Sequence, residues 1–290
     1  MTEQTEGMQR PPAQPGQTTD APAVTNPDGS REQTYPYVYA IGRIEPRFPS
    51  LGVEREFAQA TGRLEDTAGL RDREATHSVL QERGNRYLAR QLCYVFTIEG
   101  LETYLLQPRD PRDLDRLVDA IQPASRRTDV DVVIGVRGPI APPEACNGLM
   151  VPMVAFDQIY SFPIDQFIDS IPRPDGTDED EFESTAEDLF DRILQIADNA
   201  GATDEHRALN YLAVRYDRIY AQTTEMNNRN FSLSGVEVRP SRLSVTRRIV
   251  EVIFSFRNRE TDVIEKHFVR VDVTEEFPFL VTKMSPYFEH

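Results

Sequence analysis

Two apolar, β-branched runs lie between Thr128 and Phe162, separated by a loop rich in proline. The runs cover 130–136 and 151–160, and the loop between them contains Pro142 and Pro143. Runs of this length bounded by proline and glycine predict two strands joined by a stiff loop. Because both runs are apolar almost throughout, we expect the strands to lie deep in a sheet.

Composition restricts the classes of function. The chain has 290 residues, two cysteines and a formal net charge of −16. The charge argues against nucleic acid, since neutralising phosphates needs a basic surface. No secretory segment and no apolar run near 18 residues is present, so we expect a cytoplasmic protein without a membrane segment or a disulfide framework.

The chain divides by composition into a tail and one larger domain. Residues 1–34 are polar and rich in proline, which predicts a disordered tail. The domain is expected over 35–290, with a possible subdivision at an acidic linker near 172–184. From Asp165 to Glu205 we count 14 carboxylates, which form either a solvated surface or a site for a partner that carries Arg or Lys.

Periodicity predicts an α+β fold with mixed β-sheets and an αα-hairpin insertion, and not a doubly wound sheet. Charge alternation over 61–86 indicates a solvated segment, followed by a strand over 87–98. Ser184 and Glu187 have the spacing of a capping box, which predicts a helix start at Ser184. A second helix is expected over 204–223, followed by strands to the end of the chain, whose sheet edges could accept an extended peptide.

No residues form a recognised catalytic arrangement. Histidine is scarce, with His77, His206 and His267 ahead of the terminal His290, and no Gly-x-Ser-x-Gly motif occurs. We therefore assign no catalytic residues.

A metal site is the sharper possibility. Cys93, Cys146 and His77 would supply three zinc ligands, with His206 as an alternative to His77. Glu144, two residues before Cys146, could then act as a base. The simpler interpretation of the cysteines is two buried structural thiols.

Several long strings resemble the C-terminal domain of unknown function of PatG-type cyanobactin maturation proteases. They include 39–57, 85–93, 142–149, 228–233 and 271–287, so the resemblance runs from about residue 36 to the C-terminus. In those maturases a subtilisin-like protease domain precedes this domain. We expect the present chain to be a version without the protease, and no triad residue carries over.

The resemblance implies a role in making ribosomally synthesised, modified peptides. We expect a non-catalytic accessory protein that binds the precursor peptide or organises partner enzymes, and that forms a homodimer. The alternative is a zinc-dependent hydrolase or cyclase that acts on the precursor peptide.

Overall fold

The computed structural model describes residues 37–62, 72–122, 129–196, 198–242 and 246–288. The strands of these ranges are β1 (Tyr37–Arg47), β2 (Cys93–Ile98), β3 (Leu101–Pro108), β4 (Val130–Ile140), β5 (Pro152–Phe162), β6 (Phe231–Pro240), β7 (Ile249–Asn258), β8 (Ile264–Asp272) and β9 (Phe279–Pro286). The helices are α1 (Leu51–Thr61), α2 (Asp72–Gln81), α3 (Arg86–Gln91), α4 (Leu114–Ala120), α5 (Ile164–Asp169), α6 (Glu179–Leu194), α7 (Asp204–Arg215) and α8 (Arg218–Asn228). The predicted α+β class is confirmed. None of these helices is long and apolar enough to span a membrane.

The first five strands close into a barrel in the order β1-β2-β3-β5-β4, with β4 pairing back to β1. Neighbouring strands are antiparallel except for β3 and β5, which run parallel. Helix α4 lies between β3 and β4 along the chain. A five-stranded Greek-key barrel with this connectivity is an OB fold.

The strand pair predicted between 128 and 162 is β4 and β5, which pair antiparallel. Val133 on β4 packs into the barrel core, whereas its neighbours Val132 and Ile134 pack into a second core outside the barrel. Because β4 is buried on both faces, its sequence does not alternate between apolar and polar residues.

That second core lies between the barrel and a separate sheet. Tyr39 from β1, Leu212 from α7 and Phe254 from β7 are all buried in it. The Asn210 side chain donates a hydrogen bond to the Tyr39 carbonyl at 2.8 Å, which fixes α7 against the barrel. The domain therefore has three layers: barrel, helices α5–α8 and sheet.

The separate sheet is an antiparallel meander in the order β6-β7-β8-β9. At the turn after β7, the Asn258 carboxamide oxygen accepts hydrogen bonds from the backbone N–H groups of Glu260 and Thr261. One face of the sheet packs on the helices. The two outer strands of the sheet, β6 and β9, form its edges.

The structure corrects the prediction for the segment before β2. The expected solvated stretch contains α2, and α3 occupies the start of the expected strand 87–98, so β2 begins at Cys93. A short helix with few apolar residues has too few positions to show a helical period. Such helices are stabilised by tertiary packing rather than by propensity, and packing is not visible in the local sequence. Residues 63–71 lie outside the described ranges, as does the predicted tail 1–34.

The helical insertion also differs from the prediction. Helix α6 begins at Glu179, since the Asp178 side chain caps it by accepting the Glu181 N–H. The last part of the linker expected near 172–184 therefore belongs to α6, and Ser184 lies inside that helix. The second predicted helix is two helices, α7 and α8, so three helices, α6 to α8, stand where the αα-hairpin was predicted.

Candidate functional site

The structure joins the two cysteines that were predicted to bind zinc. Cys93 begins β2, Cys146 lies in the β4–β5 loop, and the two form a disulfide with a Cα–Cα distance of 5.8 Å. Because the cysteines are joined, the expectation of unpaired cysteines is wrong. His77 lies on α2, where its Nε2 is 3.1 Å from the Gln81 side-chain nitrogen.

A disulfide has no thiolate, which is the form of cysteine that binds a metal. In the described ranges no three His, Cys, Asp or Glu side chains are grouped so that they could hold a metal ion. The predicted set of Cys93, Cys146 and His77 is thus not assembled in the oxidised protein. Zinc binding by the reduced protein stays a prediction.

The disulfide holds the β4–β5 loop over the outer face of β2 and β3. Val95 and Leu105 on that face are buried together with Ala141 and both cysteines, and Leu149 packs against them. In OB barrels this face and its loops bind oligonucleotides or oligosaccharides. Here the chain's own loop covers Val95 and Leu105 on this face, and a cavity of about 440 Å³ lined by Cys93, Leu105 and Ala145 lies beside the loop.

A cavity of about 360 Å³ lies at another side of the barrel, beside Asp131. The Asp131 carboxylate accepts hydrogen bonds from the Ile44 N–H, at 2.7 Å, and from the Ser161 hydroxyl. Burial raises the pKa of Asp131 to about 6. Arg73, on the same wall, donates to the carbonyls of Ile44 and Ala120, each at 3.0 Å. These groups are used to hold β1, β4 and α4 together.

A second titrating group joins the barrel to the sheet. Glu276, in the β8–β9 loop, hydrogen-bonds to Asp157 of β5, and Arg109 pairs with both carboxyls. Burial, the hydrogen bond to Asp157 and the charge of Asp157 raise the pKa of Glu276 to about 7. The Glu276 carboxyl therefore keeps its proton closer to neutral pH than an exposed glutamate does. The position of Glu276 and Asp157 at a junction between layers indicates a structural role.

The outer edge of β6 presents unpaired backbone groups. Ser241 N–H donates to the Ile249 carbonyl at 2.7 Å, and the residues of β6 pair with β7 in continuous register from Gly235 to Pro240. The alternation of an antiparallel ladder then points the backbone groups of Val236 and Val238 away from β7. In the described ranges these four N–H and C=O groups have no hydrogen-bond partner.

The opposite edge, β9, is protected. The Met284 N–H donates to the Tyr216 hydroxyl at 3.0 Å, two register shifts interrupt the pairing with β8, and Pro286 ends the strand. Bulges and proline hinder strand addition at a sheet edge, but β6 also has one register shift, between Leu233 and Gly235, and also ends at a proline, Pro240. The contact between Met284 and Tyr216 is what distinguishes β9, so the run from Gly235 to Pro240 on β6 is the candidate edge for a peptide strand.

A cleft of about 260 Å³ adjoins the start of β6, between α6 and α8. Glu181 and Asp188 of α6 line it on one side and Leu233 of β6 on the other. The Leu233 carbonyl accepts a hydrogen bond from Arg192 at 2.6 Å. The cleft and the open edge thus lie on the same strand, and Arg192 binds the backbone at Leu233 between them.

Together these features define a class: an OB-type barrel joined through a helical layer to an antiparallel sheet with one open edge. Comparison with known proteins then adds the family. Residues 176–287, which run from before α6 to the end of β9, match the family model described as PatG C-terminal. The chain therefore contains a PatG C-terminal-type domain, which confirms the resemblance.

The fold is shared with a solved structure described as the PatG domain of unknown function. The TM-score is 0.69 at 19% sequence identity, over 87% of this chain and 98% of that chain. A comparison with curated proteins finds no match.

Proposed function

We propose that this chain is a non-catalytic accessory protein in the maturation of ribosomally made peptides, and that it binds the precursor peptide as an added strand on β6. The observation that carries this proposal is the row of unpaired backbone groups at Val236 and Val238. A peptide strand beside them would receive hydrogen bonds that do not depend on its side chains. Such binding suits a precursor whose modified core varies in sequence.

Two further observations support this choice of surface. On the β2–β3 face of the barrel, Val95 and Leu105 are covered by a loop of the same chain. The family match covers the part of the chain that contains β6 and its cleft. The rival proposal, a zinc-dependent hydrolase or cyclase, depends on thiolates that the structure joins in a disulfide.

The proposal is tested by replacing Val238 with proline. The Val238 N–H points out of the sheet, so proline removes a donor to the peptide without removing a ladder bond of the fold. We expect the Val238→Pro protein to keep its melting temperature within a few degrees. Its affinity for the precursor peptide encoded beside its gene, measured by calorimetric titration, should fall about tenfold or more, as expected for one lost hydrogen bond plus a clash with the proline ring.

Val238→Thr is the matched control, since it keeps the N–H and the β-branched shape. It should bind as the unchanged protein does. A folded Val238→Pro protein that binds the precursor with unchanged affinity would show that β6 is not the binding edge. Recovery of the peptide with an altered mass would instead indicate an enzyme.

Association with partner enzymes and formation of a homodimer also stay proposals. Light scattering of the protein alone and with the precursor measures the oligomeric state directly. We expect the mass of a dimer.

A further inference from the structure

The cavity beside the β4–β5 loop has mostly apolar walls. It has a volume of about 440 Å³ and is lined by residues of α3, of the start of β2, of the end of β3 and of α4. Leu92, Leu105, Leu114 and Leu117, all buried in the protein, belong to its lining. Small-molecule sites are commonly cavities of roughly 300–1,000 Å³ with apolar walls and a few polar groups. The cavity therefore has the size and the lining of such a site.

The charged side chains of this lining are both cations, those of Arg90 and Arg109. Among the described residues, no Asp or Glu lines the cavity. By contrast, carboxylates line the other two cavities described above, with Asp131 in the first and Glu181 in the cleft beside β6. A cavity lined by cations without carboxylates is a local exception in a chain whose net charge is −16.

The two arginines differ in whether their charge is already balanced. Arg109 pairs through Nη1 with the carboxyls of Asp157 and Glu276. Arg90, in the last turn of α3, has neither an ion-pair nor a hydrogen-bond partner in the described part of the chain. Arg90 thus supplies one unbalanced positive charge to an otherwise apolar cavity.

We propose that this cavity binds a small carboxylic acid, with the apolar body of the ligand against the leucines and its carboxylate beside Arg90. A guanidinium suits a carboxylate because two of its N–H groups can donate to the two carboxylate oxygens. One unbalanced cation matches one negative charge, whereas a phosphate monoester carries about −1.5 to −2 at neutral pH. The ligand class is therefore a monocarboxylic acid with an apolar body.

This site is separate from the proposed peptide edge, since none of the residues that line it belongs to β6 or to the helices α6 and α8 beside it. The inference therefore does not depend on strand addition. Val238→Pro should bind the acid as the unchanged protein does, so the outcome at β6 and the outcome at the cavity are distinguishable.

The probe for the test is phenylbutyrate, and its matched control is phenylbutyramide, which has the same apolar body without the charge. Each is titrated into the full chain labelled with nitrogen-15, and the amide chemical shifts are followed by NMR. We expect phenylbutyrate to shift the signals of Ala89, Leu105 and Leu117, which line the cavity. It should bind about fivefold more tightly than the amide, as for one partly exposed ion pair.

Arg90→Gln removes the unbalanced charge, and Arg83→Gln is the matched control. Both arginines are exposed, so both variants should fold, and Arg83 does not line the cavity. We expect Arg90→Gln to bind phenylbutyrate about fivefold more weakly and the amide within about twofold of the unchanged protein. Arg83→Gln should bind both probes within about twofold, since screening weakens a distant charge.

Three results would overturn the assignment of the cavity. The first is equal affinity of the unchanged protein for the acid and the amide. The second is an equal loss of phenylbutyrate affinity in Arg90→Gln and Arg83→Gln. The third is the absence of shifts at Ala89, Leu105 and Leu117 at about 10 mM phenylbutyrate, a concentration at which even millimolar binding is mostly saturated.

Discussion

At the residue scale, Asp131 and Glu276 both hold their protons to higher pH than exposed carboxyls do. The pKa of Asp131 is raised from 3.8 to about 6 and that of Glu276 from 4.5 to about 7. For each group the folded state binds its proton more tightly than the unfolded state. Their contribution to stability is therefore complete at acidic pH and is lost as the pH rises through the folded pKa.

We predict that Asp131→Asn flattens the pH dependence of unfolding between about pH 4 and 6. The raised pKa corresponds to a loss of roughly 3 kcal/mol across this range in the unchanged protein. Urea unfolding of both proteins at intervals across this range measures the difference. A difference that does not change with pH would contradict the burial of a titrating carboxyl at this position.

Glu276→Gln is expected to act in a separate and higher range, between about pH 4.5 and 7. The variant keeps a neutral group beside Asp157 at every pH, so it should lose less stability than the unchanged protein as the pH rises. The same titration measures it. Identical pH profiles for the two proteins would contradict a raised pKa at Glu276.

Neither residue stands out in the sequence, because nothing local marks a carboxyl that will be buried. Asp131 is a single polar residue between two valines near the start of β4, and Glu276 and Asp157 are 119 positions apart in the chain (276 minus 157). The cysteines show the same limit. Their residue types suggested a metal, and the pairing depends on a loop position that the sequence alone does not fix.

At the element scale, the β4–β5 loop is attached to β2 by the disulfide and by a small apolar cluster. We predict that Cys146→Ser lowers the free energy of unfolding by about 2–4 kcal/mol, since the disulfide spans 53 residues and constrains the unfolded chain. Precursor binding at β6 should not change. Equal stability of the unchanged protein with and without a dithiol reductant would show that the cysteines are not paired.

Strongly patterned elements were predictable. Strands β4 and β5 and the strands of the last sixty residues follow directly from β-branched runs and turn residues. The helix start at Ser184 was predicted wrongly because two capping signals compete. Asp178 precedes three acidic residues, and these favour the first turn of a helix through its dipole, so the helix begins earlier.

At the scale of the whole molecule, the sequence indicated the α+β class but not the closure of five strands into a barrel. Closure depends on β1 pairing with β4 and β3 with β5, and local periodicity does not determine such long-range pairing. The same limit applies to the candidate site. The sequence suggested strand addition in general, and the topology was needed to identify β6 as the open edge.

The most direct test of the account is amide hydrogen exchange of the whole domain with and without the precursor peptide. We predict that the amides of Val236 and Val238 exchange rapidly in the free protein and slow markedly when peptide is bound, while β9 and the β4–β5 loop do not change. Peptide-dependent protection at β2–β3 or β9, with Val236 and Val238 still exchanging rapidly, would contradict binding at the β6 edge.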